Sequence, residues 1–495
     1  MKPNILWICT DEQRYDSLGC TGNPHAVTPH LDALAAEGAI YHRFITANPV
    51  CMPSRASFFT GQMPSRHGVV TNGVGLPNRD LVPASPTSRN MPQRESHANT
   101  LPELLAAAGY HTRSIGKLHL CPTRGAPELN HPENDWLWKE GKFDDWHGPY
   151  FGFEHVDLTL NHGERNIGGH YRKWLREVAP EVEALLNKRI ENYPAPEIDT
   201  LYPGRIPEEY HHSTWVGQKT ADFLSSDEAK EKPFFLWMSF PDPHQPFTPP
   251  ASLAEEFSKH DYLVPTATVE DLADKPSAWP KESMPCIKNQ PENIGTVRRY
   301  TDAQNHLIDR AVGQAIKALK ANGLWENTIV IFTSDHGDYL GDYGRIRKNE
   351  LPCNALNHVP CIVHDPLGKL PKTTDMAVSG VDMFPTICEL AGVEITHSID
   401  GQSLLQGDPD QRRALVQCMS EEFPPSFTIY DREYRLTWFP GQDEWECYAH
   451  QNDPYERKNI IAEFRLTERF KELREELMVR HLSALHPRIG RFSCW

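Results

Sequence analysis

Four short stretches of this chain concentrate carboxylates, imidazoles and an amine: Asp11-Glu12, Lys117-Leu118-His119, Asp242-Pro243-His244 and Asp335-His336. Carboxylates beside an imidazole suit a hard divalent cation. A lysine beside histidines suits an oxyanion. A fifth stretch, Cys51-Met52-Pro53-Ser54-Arg55, adds a nucleophile. Pro53 is expected at the first position of a helix running to Thr60 and closed by Gly61. Cys51 then lies at the helix N-terminus, where backbone amides favour negative charge, with Arg55 one turn later on the same face. By these residues alone Cys51 reads either as a reactive thiolate or as one more buried cysteine.

Each of the four stretches ends an apolar run or a short segment that reads as a strand. Ile5–Thr10, the segment after Gly109, Pro233–Phe240 and Thr328–Thr333 are the runs, and short apolar runs of this kind are strands buried on both faces of a parallel sheet. Helices are predicted between them. Thr28-Pro29 opens one that Gly38 closes, Thr100 opens another that ends at Gly109, and residues 297–322 form a long amphipathic one. Alternating strands and helices imply a mainly parallel α/β sheet, and in such sheets ligands bind beyond the carboxyl ends of the strands. Residues 121–215, rich in Trp, His, Asn, Gly and Pro, show little periodicity and read as an elaborated loop region. Near the C-terminus, residues 434–439 read as a hairpin edge and 466–484 as an amphipathic helix. His211-His212 read as a helix start.

Composition narrows the function classes. The chain has 495 residues, 39% hydrophobic, and a formal net charge of −17, which argues against a general nucleic-acid or anionic-membrane binder. No segment approaches the roughly 18–20 apolar residues of a membrane span. The N-terminal apolar run is short and ends on Asp11-Glu12, unlike a secretory h-region. Eleven scattered cysteines without a C-x-x-C pair predict free thiols in a reducing compartment and a cytoplasmic location.

The stretch C-M-P-S-R-A-S-F-F-T-G over 51–61 resembles the C-x-P-S-R-x-x-x-x-T-G signature of the formylglycine-dependent sulfatases. It stands in the family's order: D-E-Q-R first, then the signature, G-K-L-H, P-D-P-H-Q-P-F and T-S-D-H-G-D-Y-L-G-D-Y-G. The resemblance implies an alkaline-phosphatase-like α/β fold, with a large, mostly parallel mixed sheet flanked by helices and a small C-terminal antiparallel-sheet subdomain. Residues 1–400 would form the catalytic domain and 401–495 the subdomain. It implies that a maturase converts Cys51 to formylglycine, whose hydrate carries two hydroxyls. One attacks the sulfur of a sulfate ester, and the other then releases the sulfate, which serine could not easily do.

Carried over onto this sequence, Asp11, Glu12, Asp335 and His336 match metal ligands, with hydrated residue 51 as another. Glu12 stands where relatives have Asp or Gln, and His336 where many have Asn. The metal implied is one divalent cation, calcium first, with manganese or magnesium as alternatives. Arg55 matches the residue that holds the diol, Lys117 and His119 the sulfate contacts, His244 a general acid towards the leaving group, and Lys348 the lysine downstream of D-H-G. Asp335 is also a candidate base. Asn72 resembles a pocket residue of the phosphonate-hydrolase branch, and His162 and His170 are candidate cleft residues. The expected substrate is a sulfate monoester of a carbohydrate or aryl alcohol, with specificity in loops 121–215 and 245–295. A phosphonate monoester hydrolase or phosphodiesterase of the same superfamily is the enzymatic alternative, disfavoured by Lys117 with His119. A non-catalytic anion-binding relative is the alternative of another class, and it would lack the cysteine, the arginine or a metal carboxylate. The tail Arg488–Trp495 is a candidate for packing on a neighbour; the sequence otherwise sets no oligomeric state.

Overall fold

The computed structural model describes residues 2–77, 99–188, 198–288 and 290–485, so the tail from Arg488 lies outside the described residues. Nine strands form one mixed sheet: β1 (Asn4–Asp11), β2 (Ala39–Tyr41), β3 (His111–Gly116), β4 (His155–Leu160), β5 (Gly168–Gly169), β6 (Phe234–Pro243), β7 (Thr328–Ser334), β8 (Cys361–His364) and β9 (Thr373–Thr374). Their order is β9-β2-β8-β7-β1-β6-β3-β4-β5. The four strands expected to carry chemistry, β7, β1, β6 and β3, are adjacent and parallel. Their register brings Cys9 opposite both Ser239 and Thr333, and Gly116 opposite Ser239, so all four carboxyl ends finish on one line. Gly116 is needed there: its φ is +103°, and a Cβ would lie 1.8 Å from the Ser239 carbonyl oxygen.

Both faces of the sheet are covered, which is why β1 is buried along its whole length. On one face Ile5 and Trp7 pack with Phe58, Phe59 and Trp237. On the other, Leu6 and Ile8 pack beneath α1 (Pro29–Glu37) and the long α7 (Asn293–Ala321). Between these in sequence come α2 (Cys51–Thr60), α3 (Leu101–Ala107), α4 (His170–Val178), α5 (Pro180–Leu186) and α6 (His212–Leu224). The Thr100 side chain caps α3 through the Glu103 amide, as its sequence predicts. Thr28 does not cap α1 with its hydroxyl, which accepts from the Gly19 amide and donates to Asp32 instead.

Three expectations are corrected. Residues 121–215 are not simply loop. They supply β4, which extends the parallel set beside β3, and helices α4 and α5. Residues 434–439 do not form an edge: β12 (Tyr434–Phe439) lies inside a four-stranded antiparallel sheet, between β11 (Ser426–Tyr430) and β13 (Glu444–Ala449), with β10 (Ala414–Cys418) on the far side of β11. The helix after it is α8 (Glu468–Ala484), which packs on this sheet through Phe470, Leu473 and Leu477. Finally, α2 begins at Cys51 itself, so Pro53 is its third residue, where a proline still costs no intrahelical hydrogen bond. All ten cysteines among the described residues are free thiols. Among those residues no helix is long and apolar enough to cross a membrane.

Candidate active site

The site is built where the aligned strand ends meet the N-terminus of α2. That helix is buried on every side, and its Phe58 and Phe59 rings lie 5.3 and 6.3 Å from Trp7. Packing therefore fixes its first residue. Val50, the residue before it, supplies no side-chain cap. Instead Asn48 accepts the Val50 amide at 2.9 Å and Asn72 accepts the Met52 amide at 3.1 Å. Asn72 thus uses its carbonyl oxygen on the helix end beside Cys51.

Donor atoms of Asp11, Cys51, Asp335 and His336 all lie within 4.8 Å of one another, and all four residues are buried. The Cys51 sulfur is 3.2 Å from His336 Nε2 and 3.8 Å from Asp11 Oδ1. His336 Nδ1 is 2.9 Å from the Gly337 carbonyl, which leaves Nε2 facing the cluster. Burial opposes charge on His336, yet Asp335 pushes its imidazole up to about 9. Arg55, completely buried, underpins the cluster. Its Nε donates to Asp335 at 2.6 Å, Nη1 to the Lys117 carbonyl and Ser239 Oγ at 3.0 Å each, and Nη2 to Asp11 at 3.4 Å.

Glu12 is the exception among the expected ligands. Its Oε2 lies 3.0 Å from His244 Nε2 and 3.3 Å from Lys348 Nζ, while Oε1 is buried without a hydrogen-bond partner. Its backbone is left-handed, φ 68°, which aims Asp11 and Glu12 in different directions. Burial pushes its carboxyl well above the usual range despite Lys348.

Around Cys51 runs a string of cations and imidazoles. Lys117 Nζ donates to Asp11 and lies 2.6 Å from His162 Nε2. The His162 ring stacks on His244 at 3.6 Å, and His244 Nε2 is 2.7 Å from Lys348 Nζ. His244 Nδ1 is 2.5 Å from the Gln245 carbonyl. Burial, His162 and Lys348 hold the His244 imidazole well below its ordinary range, and its Nε2 faces both Lys348 and Glu12. Burial raises the Cys51 thiol, as does Asp11, but Lys117, Lys348 and His336 outweigh both and hold it well below its usual value. Position 51 is therefore an anion-favouring place.

His119, also left-handed at φ 57°, keeps Nδ1 buried and unpartnered. Burial and Lys117 lower its imidazole to about 4. His162 reaches the site as the second residue beyond β4, a fifth strand end. His170 does not: its Nδ1 accepts the Leu158 amide at 2.8 Å and its Nε2 donates to the Trp146 carbonyl at 2.7 Å, so the ring is a buried brace for β4.

Sequence reasoning missed four supports. Ser239 and Ser54 hold Arg55 and the Asp335 carbonyl, the latter at 2.6 Å. Glu133 accepts the amides of His119, Leu120 and Cys121 and so sets the His119 turn. Asp338 accepts the Leu340 and Arg347 amides and shapes the loop that ends in Lys348. Ser54, inside the signature stretch, and Asp338, inside the T-S-D-H-G-D stretch, carried a sequence signal; Ser239 and Glu133 did not.

Comparison with known proteins gives the same picture. A family model described as sulfatase matches residues 3–393, and one described as N-sulphoglucosamine sulphohydrolase, C-terminal, matches 350–482. An arylsulfatase of Clostridium perfringens is 29% identical over 490 residues, covering 97% of this chain and 94% of the relative. Among solved structures, the phosphonate monoester hydrolase of Agrobacterium radiobacter superposes with a TM-score of 0.74 at 22% identity, covering 99% of this chain and 96% of its own. A structure in complex with its substrate D-glucosamine-2-N,6-O-disulfate superposes with a TM-score of 0.69 at 20% identity, over 99% of this chain and all of the other. At those identities the structural matches speak for the alkaline-phosphatase-like fold, while the family model, spanning most of the chain, speaks for its membership. The strand ends, the signature helix and that match lead to one conclusion: this chain belongs to the sulfatase family and is a sulfatase, a hydrolase of sulfuric esters.

Proposed function

We propose that this sulfatase hydrolyses the sulfate monoester of a saccharide, with residue 51 matured to formylglycine and one divalent cation, calcium, beside it. The observation that carries the reading is the convergence of Asp11, Cys51, Asp335 and His336 within 4.8 Å over a fully buried Arg55. Two carboxylates, one imidazole and an oxygen at position 51 form a donor set that fits a hard cation. Asp11, Asp335 and His336 would hold it, with Glu12 available through its unpartnered Oε1. A cation bound there would acidify a hydroxyl of residue 51 and screen the sulfate oxygens. A formylglycine hydrate supplies a geminal diol, one hydroxyl to attack sulfur and the second to release sulfate.

The remaining chemistry belongs to the chain's own side chains. Arg55 fixes Asp335, which accepts its Nε at 2.6 Å and is thereby oriented towards residue 51 as a base. Lys117 and His119 offer donors to the equatorial sulfate oxygens. On the leaving-group side His244 and Lys348, 2.7 Å apart, are the candidate proton donors to the departing alcohol and act as a pair. Ten free thiols among the described residues suit a reducing, cytoplasmic compartment. A saccharide substrate is supported by the fold-mate bound to D-glucosamine-2-N,6-O-disulfate.

The test combines mass spectrometry of the peptide carrying residue 51, metal analysis, and hydrolysis of 4-nitrophenyl sulfate against a phosphonate monoester. Conversion of Cys51 lowers the peptide mass by about 18 Da. The expected result is that loss, about one bound calcium per chain, which manganese or magnesium replaces with lower activity, and faster sulfate than phosphonate hydrolysis. An unconverted cysteine in fully active protein would refute the nucleophile. Preferred phosphonate hydrolysis would refute the substrate class.

A further inference from the structure

A second concavity is lined by none of the residues the reaction uses. It is a cleft of about 590 Å³, within the size range of ligand pockets. Arg124, Lys139, Arg165, Arg172 and Arg176 line it, against only two carboxylates, Asp135 and Glu183. A local excess of cations is unexpected on a chain of net charge −17. Arg172 is neutralised by Glu183 at 2.9 Å and Lys139 by Asp135 at 2.5 Å. Those pairs use both carboxylates. Arg124, Arg165 and Arg176 are left exposed, with no ion pair or hydrogen bond among the described residues.

An aromatic ring completes the cleft. Trp136 is 55% exposed, the most exposed aromatic among the large hydrophobics of the described surface, with Lys139 Nζ 5.0 Å from its ring centre. Charged arginines beside an exposed indole form a surface for a ligand that is anionic at its edge and apolar on its face. A sulfated or carboxylated pyranose has that chemistry, since its ring C–H groups are apolar and its substituents carry the charge. Arginine forks suit planar or trigonal oxyanions, and an indole face suits a flat apolar partner.

The cleft is joined to the active site through the chain itself. Asn161 lines the cleft and the next residue, His162, stacks on His244 in the active site. Their Cα atoms are about 3.8 Å apart, so one short stretch of chain after β4 serves both the cleft and the active site. We infer that this cleft is a subsite for a neighbouring anionic sugar, and that the preferred substrate is a polyanionic oligosaccharide and not a lone sulfated monosaccharide or aryl sulfate. The inference rests on the sulfate-ester reading above and extends it to the second sugar.

The experiment uses the full chain and separates the two readings. Arg165→Ala/Arg176→Ala is compared with wild type on a heparin tetrasaccharide, on a sulfated monosaccharide and on 4-nitrophenyl sulfate. Each arginine lost from a charge-assisted contact is expected to raise KM for the tetrasaccharide about tenfold, while kcat/KM on the two small substrates holds. Trp136→Ala is expected to raise KM for the tetrasaccharide about threefold. Tetrasaccharides whose neighbouring sugar carries only sulfate, only carboxylate or neither identify the anion recognised. Binding is read independently by calorimetry of the tetrasaccharide on Cys51→Ala protein, where affinity should fall with added salt and with the double substitution. That arm decides the cleft even if residue 51 is never converted and no sulfate ester is turned over. Equal tetrasaccharide affinity for the wild-type and doubly substituted cleft, no binding at all, or an equal loss on all three substrates would overturn the inference.

Discussion

Two of the buried charge clusters among the described residues are centred on an arginine between two carboxylates, and only one of them is at the candidate active site. At the strand ends, Arg55 sits between Asp335 and Asp11, with Lys117 and Lys348 nearby. In the small C-terminal sheet, Arg435 sits between Glu446 at 2.8 Å and Glu456 at 2.6 Å, with Lys275 bonded to the Glu456 carbonyl. The second cluster is saturated. Glu446 also accepts from Trp279 and Tyr448, Glu456 from the Asn354 amide, and Arg435 donates to the Pro352 carbonyl. The first is not: Glu12 Oε1 and His119 Nδ1 are buried without partners, and both residues have left-handed backbones. Burial of charge therefore does not mark function. What separates the two is that the first keeps unused donors and acceptors beside residue 51, where the second has none.

The sharpest way to break the comparison is at residue 51. Cys51→Ala should lower kcat on the order of 10⁶-fold, as expected for loss of a nucleophile, while the urea unfolding midpoint stays near that of wild type. Next come the ligands. Asp335→Asn should reduce bound cation and kcat together, on the order of 10³-fold, measured as metal content against turnover. Full metal content in an inactive protein would make Asp335 a base only.

His244 tests the proton path. Lys348 and His244 share one proton-bearing contact, so His244→Ala and Lys348→Ala should produce the same pattern. The loss should be about 10²–10⁴-fold for a sugar sulfate with a poor leaving alcohol and far smaller for 4-nitrophenyl sulfate. A series of leaving-group pKa values gives the slope. If the two variants differ in slope, the proton does not belong to the pair.

How far the sequence spoke depended on whether a residue's neighbours were local. The ends of β1, β3, β6 and β7 were legible because an apolar run followed by charged residues is a local pattern, and parallel pairing aligns such ends. The strand β4 was not. His155, Asp157 and Thr159 alternate with apolar residues inside a stretch full of Trp, Gly and His, and its partner β3 is some forty residues away. That concealed the fifth strand end and made His170 look as eligible as His162. Glu12 matched a ligand position only through the family resemblance, and no local pattern records that its backbone is left-handed or that its Oε2 meets His244 and Lys348. The place of β12 within its sheet depended on β11 and β13 pairing on either side, which no property of residues 434–439 records.

The C-terminal cluster offers the converse test. Arg435→Met leaves Glu446 and Glu456 buried and unpaired, and breaking a buried pair in this way costs about 3–5 kcal/mol. Urea denaturation should show the midpoint falling at constant slope. Replacing Arg435, Glu446 and Glu456 together by apolar residues should recover most of that loss, since a saturated ion cluster contributes little over well-packed apolar groups. No such triple replacement at Asp11, Arg55 and Asp335 could retain activity.

The smallest effect expected is the most informative about whether the two clusters are separate. They are joined by the chain from Asp335 to Asn354. Asp335 and Lys348 serve the active site, while the Pro352 carbonyl accepts from Arg435 and the Asn354 amide donates to Glu456. Lys348 therefore hangs on a loop whose far end is pinned by the saturated cluster. Loosening that end should let Lys348 wander from His244 and cost only part of its contribution. The expected coupling between Arg435→Met and Lys348→Ala is about 0.5–1 kcal/mol, a few-fold in kcat/KM, within the range of residues that share a network. It is measured as a double-mutant cycle on a sugar sulfate below the unfolding temperature of both proteins. Strict additivity would mean that Asp338, through the Leu340 and Arg347 amides, is sufficient to hold the loop. Coupling would mean that the saturated cluster, although it takes no part in the chemistry, sets how firmly the proton donor is held.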